Sequence, residues 1–166
     1  MIYFAINHLD VVGGIQTTAS HNPIEYNGFK ISGPKAKPIG AASGLDDIKR
    51  IATTLRMGQT GEKGTLEQRD LWDAYRKHIH QFLDLKRPLR VVIDGSNGMA
   101  GKMVPAVFNN VPNLQITPIL FDMPGSFVHE PNPLVESNLD MLKKKMKEVE
   151  CDLGVCFDGD ADRCMF

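Results

Sequence analysis

Asp158-Gly159-Asp160-Ala161-Asp162-Arg163 sets three carboxylates at alternate positions directly after an apolar run. Carboxylate oxygens are hard ligands of the kind Mg2+ takes in near-octahedral geometry at about 2.1 Å. Gly159 and Ala161 add little bulk, so the backbone can curl and bring alternate carboxylates around one ion. Without a cation the three charges repel one another. A solvated acidic turn stays open as the other reading. An EF-hand also alternates Asp residues, but its loop needs Gly at the sixth position, where Arg163 stands.

The second segment is Gly14-Ile15-Gln16-Thr17-Thr18-Ala19-Ser20-His21-Asn22-Pro23. Residues 15–19 form a β-prone run that would deliver Ser20 to a strand's C-terminal end, where open α/β sheets place ligands. A serine hydroxyl is a weak nucleophile until a base takes its proton or a metal lowers its pKa. His21 beside it and Lys30 further on are the local candidates for proton handling and for neutralising phosphate charge. The alternative is a plain turn in which hydroxyl and amide bond the backbone. A Gly-x-Ser-x-Gly elbow is absent, since Thr18 and Asn22 flank Ser20. The two segments are electrostatically compatible. A phosphoserine at about −2, three aspartates, one Mg2+, Arg163 and Lys30 together leave about −1.

Elements that could position these groups follow from periodicity. Residues 2–9 read as a helix with Ile2, Ala5, Ile6 and Leu9 on one face. Pro23 biases Asn22 to an extended conformation, Asn27-Gly28 is a hairpin-type dipeptide, and residues 29–31 resume as a strand. Residues 32–44 read as loop and 46–55 as a helix ended by Gly58, Gly61 and Gly64. Thr65 and Gln68 have capping-box spacing ahead of a stripe at Leu71, Trp72, Tyr75, Ile79, Phe82 and Leu83, which is read as packing. Residues 84–88 read as a boundary, giving domains 1–86 and 87–166. Beyond it the rhythm is βαβ: strand 90–93, turn 94–98, helix 102–108, strand 114–121 with Pro118 at an edge or bulge, a helix capped by Asn138, and strand 152–157. This alternation predicts layered α/β domains with mixed, largely parallel sheets.

Composition narrows the function classes. The 166 residues carry 19 basic and 20 acidic side chains, a net charge of −1, and 42% hydrophobic residues. That suits a packed globular chain without the basic stripe of a nucleic-acid binder. Lys143, Lys144, Lys145 and Lys147 are balanced by Glu148 and Glu150 and read as a solvated helix face. Cys151, Cys156 and Cys164 form no CxxC pair, which argues against a disulfide scaffold and for a reduced, cytoplasmic setting. No segment approaches the roughly 20 apolar residues of a membrane span, and residues 1–9 lack a signal peptide's basic start.

Together the segments resemble the α-D-phosphohexomutases, the family of phosphomannomutase and phosphoglucomutase. Thr18-Ala19-Ser20-His21-Asn22-Pro23 is similar to that family's phosphoserine motif, and Asp158 to Arg163 to its metal loop, with Ala161 where Gly is common. Tyr26-Asn27-Gly28-Phe29-Lys30-Ile31, Val91-Val92-Ile93-Asp94-Gly95-Ser96-Asn97-Gly98, Pro131-Asn132-Pro133 and Glu136-Ser137-Asn138-Leu139 extend the resemblance in the family's order. The resemblance implies that phosphorylated Ser20 donates its phosphoryl group to a hexose monophosphate. A hexose 1,6-bisphosphate forms, turns over in the site and returns its other phosphate to Ser20. It also implies one Mg2+ on Asp158, Asp160 and Asp162 that touches the Ser20 phosphate, Arg163 steadying that phosphate, and acid/base or orienting roles for Lys30 and His21.

The partner so implied is a small-molecule sugar phosphate, with no nucleic acid or membrane, and with the oligomeric state left open. The family resembles four domains around one cleft, so this chain is expected to hold parts of the first two and to be inactive alone. Phosphoglucosamine mutase is the competitor within the family, and Thr18-Ala19-Ser20 with Tyr26-Asn27-Gly28-Phe29 leans to the hexose branch. A non-catalytic, metal-binding fragment is the reading from another class.

Overall fold

The computed structural model describes residues 1–55, 61 and 63–166. The chain divides into two compact units. One holds residues 1–16 and 29–71, the other residues 17–28 and 72–166. The sequence boundary at 86/87 therefore differs from the division at Leu71/Trp72, because the helix at Trp72–His80 packs within the second unit.

In the first unit, α1 (Ile2–His8) takes the helix expected over 2–9 and turns Ile6 inward. Strands β1 (Gly14–Thr17) and β2 (Phe29–Ser32) form a two-stranded sheet. The stretch read as loop contains two short 3-10 turns, Pro34–Ala36 and Ala41–Ser43. Helix α2 (Leu45–Thr54) has Asp46 and Asp47 in its first turn, where they complement the helix dipole. Its i,i+3 pairs Lys49–Asp46 and Arg50–Asp47 are exposed and worth little. Gly58, assigned to ending this helix, lies outside the described residues.

The second unit opens with α3 (Trp72–His80), followed by β3 (Leu89–Asp94), α4 (Ala100–Phe108), β4 (Leu114–Ile119), α5 (Asp140–Glu148), β5 (Leu153–Phe157) and β6 (Cys164–Met165). The sheet order is β4-β3-β5-β6, with β3 parallel to β4 and β5, and β6 antiparallel to β5. Side chains of a strand alternate between faces, and both faces are used here. Val91 and Ile93 pack with Ala100 and Val104 of α4 on one side. Val92 and Cys156 pack with Leu142 of α5 on the other. Burial on both faces explains why β3 reads as a continuous apolar run. Pro118 sits on the edge strand β4 opposite Ile93, so its missing N–H costs no central ladder bond.

Three expectations need correction. Residues 65–71 are not helical, so Thr65 and Gln68 cap nothing, and α3 begins at Trp72. Leu66, which a helix here would have to bury, is 94% exposed. The stripe ends early as well, since α3 stops at His80 and Phe82 is exposed. What holds α3 is partly polar: Arg76 Nε donates to the Ala106 carbonyl at 2.8 Å, and His80 Nε2 meets the Val107 carbonyl at 2.6 Å. Asn138 does not cap α5. It lies in the 3-10 turn Glu136–Leu139, buried, and its amide donates to the Asn132 carbonyl at 2.9 Å.

Candidate functional site

Parallel β3 and β5 end on the same edge of the sheet, with Asp94 opposite Cys156. Ligand sites of open α/β sheets form beyond such C-terminal strand ends. Here β5 runs into Asp158, and the chain reverses within six residues to return as β6. The reversal is pinned by Asp158. Its backbone N–H donates to the Arg163 carbonyl at 3.0 Å, and its carbonyl accepts from Ala161 N–H at 3.1 Å. Its Oδ1 accepts from the N–H groups of Asp162 and Arg163 at 3.0 and 3.1 Å. Ala161 holds a left-handed φ of 57°, the conformation Gly adopts most cheaply.

The curl brings one carboxylate oxygen each from Asp158, Asp160 and Asp162 within 4.8 Å of one another. Asp158 and Asp160 are buried while Asp162 is exposed. Burial pushes the Asp158 carboxyl above its usual range. The Arg163 N–H opposes that, and the charges of Asp160 and Asp162 add to it. The donor set therefore fits a hard divalent cation: three carboxylates crowd one point, and the Arg163 side chain meets two of them, through Nε to Asp158 Oδ2 at 3.2 Å and to Asp162 Oδ1 at 3.5 Å.

The serine turn, residues 17–28, belongs to the same unit. β1 stops at Thr17, short of the expected 15–19, and Ser20 stands in the following turn with φ 57°. Thr18 organises that turn. Its Oγ1 accepts from Ser20 N–H at 2.8 Å and donates to Asp160 Oδ2 at 2.8 Å. Asn22 closes the turn, donating through both backbone and side chain to the Ala19 carbonyl. The plain-turn reading and the chemical reading thus describe the same residues. Arg163 Nη2 donates to Ser20 Oγ at 2.8 Å and also to His21 Nδ1. A guanidinium can only donate, so His21 Nδ1 is the acceptor, which puts the ring proton on Nε2. His21 Nδ1 lies 3.5 Å from Ser20 Oγ.

Ser20, His21, Arg163 and the three aspartates are therefore gathered in one unit, as the site expected from the sequence requires. Lys30 stands half-buried on β2 of the first unit. Three contributors went unassigned in the sequence. Thr18 carried a usable signal, the hydroxyl two residues before Ser20 that makes a turn of this type. Asp94, fully buried, and His129, partly so, pair at 3.2 Å and carried none, because a contact between residues 35 apart in sequence leaves no periodic trace.

An α/β/α layered unit with an acidic loop and a serine turn beyond its parallel strand ends defines a class that comparison with known proteins makes specific. The family model for phosphoglucomutase/phosphomannomutase α/β/α domain II matches residues 73–166, and that for domain I matches residues 1–58. The chain belongs to the phosphoglucomutase/phosphomannomutase family. It is 37% identical over 172 residues to a phosphomannomutase of Escherichia coli, covering 98% of this chain and 38% of the relative. It is 36% identical to a phosphohexose mutase of Xanthomonas campestris, covering 99% of this chain and 37% of that one. A crystal structure of a phosphoglucomutase/phosphomannomutase family protein from Burkholderia thailandensis superimposes with TM-score 0.79 at 34% identity, over 92% of this chain and 32% of that chain. The chain thus spans about a third of the length of these relatives.

Proposed function

We propose that this chain supplies the phosphoryl-donor portion of a phosphohexomutase, which interconverts hexose 1-phosphate and hexose 6-phosphate with mannose or glucose as the sugar. The observation that carries the reading is Arg163, whose guanidinium joins Ser20 Oγ to Asp158 while three carboxylates converge beside it. Phosphoryl transfer asks for positioned charge more than for covalent chemistry from the protein, and this arrangement supplies it.

In this reading Ser20 carries the phosphoryl group. The Ser20 Oγ–P bond breaks as a sugar hydroxyl forms its own bond to phosphorus, and that hydroxyl's proton passes by way of His21 or Lys30 to the departing Ser20 Oγ, which is left as a hydroxyl. The bisphosphate so formed turns over and returns its other phosphoryl group to Ser20 Oγ by the reverse step. Arg163 steadies the phosphate and Thr18 fixes the Ser20 backbone. Asp158, Asp160 and Asp162 would hold one Mg2+, which supplies positive charge against the phosphate oxygens when bound. The setting is the reduced cytoplasm and the partner is a sugar phosphate.

Two experiments test this. Incubating the full-length protein that carries these residues with glucose 1,6-bisphosphate should add one phosphate by intact mass, located on Ser20 and absent in Ser20→Ala. Label on any other residue would refute the assignment. Residues 1–166 alone are expected not to turn over mannose or glucose phosphates, and measurable turnover would sink that part of the proposal.

A further inference from the structure

Asp94, Ser96 and His129 have no part in the reaction as described, yet Asp94 and Ser96 are among the most buried polar groups of their unit and His129 is largely covered. Asp94 and Ser96 are 0% and 1% exposed, and the His129 side chain is 12% exposed. Asp94 closes β3. Its Oδ1 accepts from Ser96 N–H at 2.8 Å and its Oδ2 faces His129 Nε2 at 3.2 Å. His129 Nδ1 in turn lies 2.9 Å from the Glu130 carbonyl. With oxygen acceptors on both ring nitrogens, the protonated imidazole satisfies both contacts.

Beyond Asp94 the backbone twists sharply. Ser96 and Asn97 adopt φ of 49° and 51°, a left-handed conformation that non-Gly residues keep only where their surroundings enforce it. The twist points two donors at the acidic loop. Ser96 Oγ donates to the Phe157 carbonyl at 2.6 Å, and Met99 N–H donates to the Gly159 carbonyl at 2.9 Å. These carbonyls flank Asp158. The approach is close: a Cβ on Gly98 would stand 2.5 Å from the Gly159 carbonyl oxygen. On its other side Gly159 meets the serine turn, where a Cβ would stand 2.4 Å from the Ser20 carbonyl oxygen. Three backbone segments are therefore stacked without side chains between them: the β3 turn, the acidic loop and the serine turn.

We propose that Ser96, held by the Asp94–His129 pair, is a positioning residue that fixes the acidic loop from behind and so sets where Asp158 and Asp160 stand. The inference rests on reading that loop as a divalent-cation site. Ligands are effective only when their own supports hold them, and loss of such support typically weakens metal binding by about 10- to 100-fold. Here the support acts on the loop's backbone and reaches the carboxylates through it.

The test is a titration of the 166-residue chain with Mn2+, followed by electron paramagnetic resonance at a temperature well below the melting point. Ser96→Ala should weaken Mn2+ binding by about tenfold, and Asp94→Asn should move it the same way. Ser96→Gly also deletes the hydroxyl and suits the left-handed backbone, so it gives the same reading should the alanine variant fail to fold. Met146→Ala, a packing change at α5, is the control for general destabilisation and should leave the affinity unchanged. Folded Ser96→Gly and Asp94→Asn that bind Mn2+ within about twofold of the parent would overturn the positioning role alone. A parent that binds no Mn2+, or binds it no better than Asp160→Asn, would overturn the cation reading and this inference with it.

Discussion

In the first unit Ile6 and Ser32 are the buried residues among those described, whereas β3 of the second unit is buried from Val91 through Asp94 and the turn after it stays buried to Gly98. The contrast extends to the helices. α2 has an apolar stripe at Ile48 and Ile51, followed by Leu55 at its C-cap, and all three are exposed. α4 and α5 each seat side chains on a face of the sheet. The candidate site lies on the side of this contrast that has the core. A loop that must hold three like charges together needs a backbone that does not yield, and both the acidic loop and the serine turn rest on the well-packed unit.

The contrast can be broken by paired substitutions. The largest effect is expected in the core. Leu142→Ala should cost about 2–5 kcal/mol, because a buried leucine leaves a cavity. Ile51→Ala on exposed α2 should stay within about 0.5 kcal/mol. Urea denaturation monitored by circular dichroism checks both, and equal costs would erase the distinction between the units.

A second pair compares glycines. Gly98→Ala forces a Cβ to 2.5 Å from the Gly159 carbonyl and should cost about 1–3 kcal/mol, as overpacking does, while displacing the acidic loop. Gly33→Ala in the first unit meets nothing closer than 3.8 Å and has an ordinary φ of −85°, so its change should stay within about 0.5 kcal/mol. Similar melting temperatures for the two variants would show that the stacked backbone yields more easily than its geometry implies.

A smaller effect concerns pH. The hydrogen bond to Asp94 holds the His129 pKa above its usual value, aided by the Glu130 carbonyl and opposed by burial. The folded state therefore holds this proton more tightly than the unfolded chain does. The resulting stability is fully present below the unfolded pKa of about 6.5 and is lost as pH rises through the raised folded value. Denaturation midpoints should fall over that window, and His129→Asn should flatten the decline. An unchanged slope in the variant would remove His129 from the account.

The smallest effect separates two thiols. Cys164 is exposed, whereas Cys156 is buried and pushed up to about 11 by burial. Iodoacetamide should therefore label Cys164 well before Cys156, since the thiolate is the reactive form.

Much of this was legible in the sequence, for physical reasons that differ by region. β3 and α4 announced themselves because both faces of β3 are covered, so Val91, Val92 and Ile93 had to be apolar together. The acidic loop was legible because three carboxylates at alternate positions need a reason to coexist. The Thr65–Gln68 signal misled because capping spacing is a local preference, and Leu66 stays exposed, so no burial realises it. Asn138 misled in a related way, since its amide found the Asn132 carbonyl instead of the helix end. The bracing of the acidic loop by Asp94, Ser96 and Gly98 was not legible at all. It consists of contacts across about 60 residues, and the segment itself looks like an ordinary Gly/Asn turn.

The central claim is that Ser20 and the three aspartates form one site. It is tested most directly by the phosphorus-31 resonance of the Ser20-phosphorylated protein during titration with Mn2+. A paramagnetic ion held by Asp158, Asp160 and Asp162 should broaden the phosphoserine signal at substoichiometric metal, and Asp160→Asn should abolish that broadening. A signal that stays sharp while Mn2+ binds would place the ion away from Ser20 and contradict the shared site.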